Sequence, residues 1–160
     1  MQIMKYIIYT ILLFLFVGVQ AYSQDESLPK SSTTVKYYEP NVPKELHTKI
    51  SDFFKLIIQA RYEDAYRQLL QGSPLMRKEK EINRLIEQTE KATQIYGAMR
   101  GFEAVDSEVA SNSMIKCRYL GLHTLYPMRW IFTFYNSPEN GWVIINIKFD
   151  DQSDFYFRKD

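Results

Sequence analysis

Three residues in the C-terminal half of the chain could perform acid–base chemistry. Glu103, Tyr119 and His123 lie in segments where apolar and polar residues alternate, which predicts strands with one buried face. Position parity assigns all three to the face that turns toward the core. A carboxylate base in an apolar pocket, assisted by a hydroxyl group or a protonated acid, can move a proton next to a carbonyl group. These residues are therefore candidates for cofactor-free isomerase or dehydratase chemistry, although they form no motif.

A larger set of aromatic side chains favours binding over catalysis. Aromatic residues make up 15% of the chain, and amphipathic aromatics often line clefts that have an apolar wall and a few polar groups. The same residues could equally be the core of a small domain. The six that are expected to converge from helices and sheet are Tyr62, Tyr66, Tyr96, Tyr119, Trp130 and Phe132. We expect a binding or interaction protein for a small apolar or amphipathic ligand, with the acid–base enzyme as the alternative.

Other functional classes lack the residues they need. Cys117 is the only cysteine, which excludes an internal disulfide and predicts a buried structural thiol. The chain has only two histidines and no paired metal ligands or glycine-rich phosphate loop, so we expect no metal and no cofactor. Beyond residue 23, 19 basic residues balance 19 acidic ones, because Lys5 is the only charge before that point. This balance argues against nucleic acid as a partner.

The first 23 residues predict an export signal. Met1–Lys5 carries one positive charge, Tyr6–Val19 is an almost unbroken apolar run, and Ala21-Tyr22-Ser23 has the small-x-small pattern of a cleavage site. The apolar run is shorter than the roughly 20 residues that span a bilayer. We therefore expect cleavage after Ser23 or Ala21, a location in the periplasm or outside the cell, and no stable membrane insertion afterwards.

The remaining chain divides into a leader and one domain. Residues 24–43 are polar and rich in proline, which predicts a flexible leader. Residues 44–160 are predicted to form a single α+β domain, with three N-terminal helices packed on a curved four-stranded antiparallel sheet. The predicted helices cover about 44–60, 62–70 and 74–96, and the predicted strands about 102–109, 114–123, 128–135 and 142–149.

The predicted outer face of the sheet carries more apolar residues than a solvated face usually does. Parity assigns to it Leu120, Ile131, Tyr135, Trp142 and Ile144. Two coverings are possible: the aromatic tail at residues 155–157, or a second copy of the chain. The second would make the protein a homodimer, such as an accessory subunit of the cell envelope.

The order of elements resembles that of a known superfamily. The runs that carry the resemblance are Phe53-Phe54, Tyr62-Glu63-Asp64-Ala65-Tyr66, Ser73-Pro74-Leu75, Ile95-Tyr96-Gly97, Arg129-Trp130, Phe132, Phe134-Tyr135 and Gly141-Trp142. Together they are similar to small exported bacterial proteins of the nuclear transport factor two-like (cystatin-like) superfamily, over about residues 44–149. The resemblance implies a conical α+β roll with a cavity at its open end. Members include isomerases, dehydratases, cyclases and transport adaptors, so the fold leaves the function open. The chain has no strands between its second and third predicted helices, where the fullest members insert them, which argues against a deep enzyme-type pocket.

Overall fold

The computed structural model of the chain describes residues 42–157. The predicted export signal, and the leader up to residue 41, lie outside this range. Within it the fold is α+β, and three α-helices precede an open four-stranded antiparallel sheet with the strand order β1-β2-β3-β4. The helices are α1 (Lys44–Ile58), α2 (Tyr62–Leu69) and α3 (Glu79–Tyr96), and the strands are β1 (Met99–Ser111), β2 (Met114–His123), β3 (Met128–Ser137) and β4 (Gly141–Asp150). None of the described helices is long and apolar enough to cross a membrane.

Helix α1 packs its apolar stripe onto one face of the sheet. Residues spaced by three and four positions fall on one side of a helix, and these positions in α1 are buried. Phe54 stacks on Phe102 of β1 with ring centroids 4.7 Å apart, and meets Trp130 of β3 edge to face at 5.6 Å. The predicted first helix and its inward face are therefore confirmed.

The third predicted helix is divided in two. Pro74–Arg77 forms a short 3₁₀ helix, and Lys78 leaves the helical region before α3 begins at Glu79. Ser73 accepts a hydrogen bond from the Leu75 amide at 3.1 Å and donates one to the Ile144 carbonyl of β4 at 2.5 Å. This contact with β4 anchors the first turn separately from α3, and periodicity along one segment cannot reveal such a contact.

A β-bulge in β1 changes the face on which Glu103 lies. The register skips one residue between Ala104 and Asp106, so Glu103 pairs with Leu120 and Asp106 pairs with Arg118. Phe102 and Ala104 take the buried positions, and Glu103 is exposed on the outer face. The prediction that Glu103 faces the core is wrong, because a bulge interrupts the alternation on which parity depends.

A second bulge has the same effect in β4. Phe134 pairs with Ile144, whereas the preceding Thr133 pairs with Asn146. Ile144 is buried in the core, and Trp142 packs against the core cluster from a half-buried position. The assignment of Trp142 and Ile144 to the outer face is therefore wrong.

Candidate functional site: the groove between α3 and β4

The structure separates the three predicted acid–base residues. Glu103 is exposed on the outer face, whereas Tyr119 is 1% exposed and faces the core. His123 lies four residues further along β2, where Nδ1 donates to the carbonyl oxygen of Gly97 at 2.8 Å. Among the described residues no aspartate or glutamate is buried. These residues therefore do not form a carboxylate base inside an apolar pocket.

The buried partner of Tyr119 is a residue that the sequence analysis did not select. His47 of α1 lies with Nδ1 2.7 Å from the Tyr119 hydroxyl, and burial lowers the pKa of this imidazole. A sequence signal for this position existed, because His47 precedes Ile50 by three residues and Phe54 by seven, which puts it on the buried stripe. The pair connects α1 to the centre of the sheet.

The predicted aromatic set converges, but most of it fills the core. Tyr66, Tyr119, Trp130 and Phe132 are each no more than 1% exposed. They pack around Phe53 and Phe54, with ring centroids 5.2 to 5.7 Å apart, and leave no open wall among them. Tyr62 and Tyr96 are half-buried. Of the six residues, only Tyr96 lines one of the three surface cavities described below.

The outer face of the sheet is a surface of paired charges. Leu120 and Ile131 are half-buried there and Tyr135 is 37% exposed. Around them run ion pairs, including Arg118–Asp106 at 2.6 Å, Lys116–Glu108 at 2.9 Å and Arg129–Asp150 at 2.7 Å. Tyr156 of the C-terminal segment reaches the same face and donates to the Tyr119 carbonyl at 2.7 Å. The tail thus contacts this face, on which Lys116, Arg118 and Arg129 are each paired with a carboxylate.

Two neighbouring cavities form a groove between α3 and the edge strand β4, which we call the α3–β4 groove. Its first part has a volume of about 270 Å³ and lies where α3 begins. Apolar side chains from three elements form its floor, and polar side chains of α3 form its rim. The lining residues are Leu70, Leu75, Glu81, Ile82, Arg84, Leu85, Gln88, Ile145, Asn146 and Ile147.

A second cavity continues the groove toward the end of α3. It has a volume of about 280 Å³ and shares Gln88 with the first. Its lining residues are Gln88, Lys91, Ala92, Ile95, Tyr96, Met128, Phe149, Asp150 and Asp151. Ile95 is 65% exposed here, although periodicity predicts that it faces inward. The apolar stripe of α3 is therefore wider than the core can cover, and the excess lies along the groove.

Fixed contacts hold α3 in place. The buried Tyr66 hydroxyl donates to Thr89 Oγ1 at 2.8 Å, since the Thr89 hydroxyl donates in turn to the Leu85 carbonyl. At the end of the helix, the Leu125 amide donates to the Tyr96 carbonyl at 3.0 Å. These contacts attach α3 near its middle and at its end, and so fix the helix side of the groove.

The α3 side of the groove is positively charged. Arg84 and Lys91 project from α3 two turns apart, and neither makes an ion pair with any described residue. On the opposite side Asp150 is paired with Arg129, and Asp151 accepts a hydrogen bond from Tyr96 at 2.8 Å. Glu81, also in the lining, is paired with Lys78. The Tyr96 hydroxyl is neutral and leaves the charge of Asp151 in place, so among the described residues two unpaired cations of α3 face one unpaired carboxylate across the groove.

A third cavity of about 310 Å³ lies between α1 and the end of α2, and its lining is mainly polar, including Lys49, Asp52 and Gln71. Within residues 42–157 no three histidine, cysteine or acidic side chains gather as a metal site would require. Burial raises the pKa of the Cys117 thiol to about 12, so it stays protonated at neutral pH.

Comparison of the chain with protein-family models, curated proteins and solved structures finds no match.

Proposed function

We propose that this protein is an exported, non-catalytic binding or interaction protein whose binding surface is the α3–β4 groove. The observation that carries the proposal is the pairing of an apolar floor with an exposed polar rim along the length of α3. Binding sites for amphipathic molecules combine these features. The aromatic core, in contrast, is packed without an open wall.

Absence of a buried carboxylate among the described residues supports binding over acid–base catalysis. The buried polar residues there are His47, Ser73 and Thr89, and each is engaged in a hydrogen bond. An enzyme of the isomerase type needs a base that can reach its substrate. The His47–Tyr119 pair lies at 4% and 1% exposure, beneath packed side chains, so no substrate reaches it without opening the core.

The proposal includes the fold family and the location. The order of three helices followed by an antiparallel meander supports membership in the nuclear transport factor two-like superfamily. The apolar run at residues 6–19 and the small residues that follow it support export to the periplasm or the cell exterior.

Two substitutions on neighbouring helix positions test the site. Gln88 is exposed and lines both halves of the groove, so Gln88→Trp fills its middle without altering the core. Glu87→Trp adds the same side chain one position away, outside the groove, and serves as the matched control. The probes are decanoate and the dye anilinonaphthalene sulfonate, both of which join an apolar body to an anionic group.

We expect both probes to bind the purified protein and to shift amide resonances of α3 and β4. Gln88→Trp should weaken binding at least tenfold, which corresponds to about 1.4 kcal/mol, and Glu87→Trp should leave it unchanged. Resonance shifts confined to the outer face of the sheet, or equal binding by both variants, would exclude the groove as the site.

A further inference from the structure

We infer that the occupant of the α3–β4 groove is an extended, acidic polypeptide segment that adds to β4 as a fifth strand. This inference rests on the proposed function of the groove and specifies its ligand class. It depends on three features: the edge of β4, the bulge within it, and the charge of α3.

The first feature is the open edge of β4. This strand is hydrogen-bonded to β3 on one side, and no strand within residues 42–157 pairs with its other side. Edge strands expose backbone amide and carbonyl groups that can pair with another chain. Among residues 42–157, the contacts with the outer edge lie where β4 begins: Lys49 Nζ donates to the Trp142 carbonyl at 2.7 Å and Ser73 donates to the Ile144 carbonyl.

Beyond Ile144 the edge is open. In the described part of the chain, no other element forms a backbone or side-chain hydrogen bond with the outer edge of β4 between Ile145 and Phe149. The open part of the edge overlaps the residues of β4 that line the groove, which are Ile145 to Ile147 in one cavity and Phe149 and Asp150 in the other. Asp151, just after the strand, also lines the second cavity. An acyl chain could fill this space, but it would leave those backbone groups unpaired.

The second feature is the bulge at Ile145. The bulge inserts this residue between Ile144 and Asn146, and Ile145 then lines the groove instead of continuing the alternation. Bulges commonly redirect a side chain beside a functional site. The bulge at Ile145 lies between the part of the β4 edge that is hydrogen-bonded, at Trp142 and Ile144, and the part that is open.

The length of the groove fits a short strand. Between Glu81 and Tyr96, α3 advances about 22 Å at 1.5 Å per residue, and β4 from Ile145 to the following Asp151 covers about 20 Å. Both lengths accommodate six or seven residues of extended peptide. Side chains on one face of such a strand would lie on the apolar floor, and those on the other face would meet the rim.

The third feature, charge complementarity, sets the chemistry of the peptide. Arg84 and Lys91 stand about 10 Å apart along the helix rim, and neither has an ion-pair partner among the described residues. Acidic side chains on the rim-facing side of an added strand would pair with both. The occupant is therefore a segment in which apolar residues alternate with glutamate or aspartate.

The direct test uses labelled heptapeptides and the purified protein. The first peptide alternates valine with glutamate, and the second replaces every glutamate by lysine. A third keeps the glutamate sequence but carries N-methyl groups on alternate residues, which removes the backbone donors on one edge. Decanoate is added as a fourth ligand, because it can occupy the groove without backbone pairing.

We expect the glutamate peptide to bind and to protect the amides of Ile145, Ile147 or Phe149 from hydrogen exchange. N-methylation should weaken binding by about tenfold or more, since each lost hydrogen bond removes roughly a two- to tenfold factor. The lysine peptide should bind more weakly, by about two- to fivefold for each charge pair. The double variant with Arg84→Glu and Lys91→Glu should bind the lysine peptide more tightly than the glutamate peptide. Lys80→Glu, on the same helix but outside the groove, should leave the preference for the glutamate peptide unchanged.

The possible results separate the two proposals. Binding of decanoate but of no peptide would overturn the strand-addition inference and leave the proposed binding function standing. Binding of the glutamate peptide with no loss on N-methylation would also overturn it. Self-association of the protein that the peptide abolishes would identify a second copy as the occupant and replace the acidic segment. If neither decanoate nor any peptide binds, the groove itself fails as the site.

Discussion

His47 of α1 and Tyr119 of β2 share a buried hydrogen bond, with Nδ1 2.7 Å from the phenol oxygen. The two residues are 72 positions apart, and each lies on the buried side of its own element. A titratable group in this position links the stability of the whole domain to pH. His123, at the end of β2, is in the same situation, since burial lowers its pKa although the bond to Gly97 partly opposes the shift.

We expect the free energy of unfolding to fall as the pH is lowered from about 7.5 to about 5.5. Both histidines have a pKa below 6.5 in the folded protein, so the unfolded chain binds protons first. Stability is complete above the unfolded pKa and decreases as the pH falls toward the folded value. Each histidine contributes a slope of at most about 1.4 kcal/mol per pH unit. Urea denaturation at several pH values measures it.

Single substitutions assign that slope to each residue. His47→Gln and His123→Gln should each reduce the slope, and the double variant should be nearly flat over this range. Glu108, whose pKa is lowered chiefly by its hydrogen bond to Lys116, titrates below the range and does not interfere. A wild-type stability that does not change between these pH values would contradict the burial argument.

The two tryptophans should differ in their contribution to stability. Trp130 is fully buried and stacks on Phe149 with ring centroids 4.5 Å apart, so Trp130→Ala should cost about 3–5 kcal/mol. Trp142→Ala should cost less, because that side chain is only half-buried at the border of the core. Denaturant unfolding monitored by circular dichroism compares them. Equal losses would show that Trp142 is part of the core proper.

Trp130→Phe should cost clearly less than Trp130→Ala. The indole Nε1 is buried without a hydrogen-bond partner among the described residues, so phenylalanine keeps most of the apolar contact and loses no hydrogen bond. A cost equal to that of the alanine variant would indicate that Nε1 is hydrogen-bonded, for instance through an ordered water molecule.

Cys117 should be unreactive in the folded protein. It is 1% exposed, so a reagent cannot reach the sulfur. Burial raises the pKa of the thiol to about 12, so the reactive thiolate is scarce at neutral pH. We expect no release of colour with Ellman's reagent under native conditions, and one thiol per chain in denaturant. Rapid modification of the native protein would mean that the core opens at β2.

Protein recovered from the periplasm or culture medium should lack its first residues. The sequence predicts a chain that begins near Gln24 or Tyr22. Intact-mass spectrometry of the recovered protein measures this directly. Recovery of the full-length chain from the cytoplasm alone would remove the prediction of export.

Local patterns predicted the elements and most of the buried face. A helix places every third or fourth residue on one side and a strand alternates, so Phe53, Phe54, Trp130 and Phe132 could be assigned to the core from spacing alone. The α+β class and the antiparallel meander followed from the same patterns, because helices preceded strands and the strand connections were short. The sequence by itself thus determined the order and approximate extent of the helices and strands, apart from the break at Lys78, and which stripe of each is apolar.

Only the tertiary structure decided the faces near the two bulges and the position of the groove. A bulge depends on how two strands pair. Glu103 therefore lies on the outer face and Ile144 on the core face, opposite to the faces that parity within their own segments predicts. The groove is space that remains because α3 is attached to α2 at Thr89, to the β2–β3 connection by the Tyr96 carbonyl, and to Asp151 just after β4 by the Tyr96 hydroxyl. The spacing of apolar residues indicates which side of a helix or strand is suited to burial. Whether a partner element covers them, as at Leu85 and Ile95, depends on the packing of the whole domain.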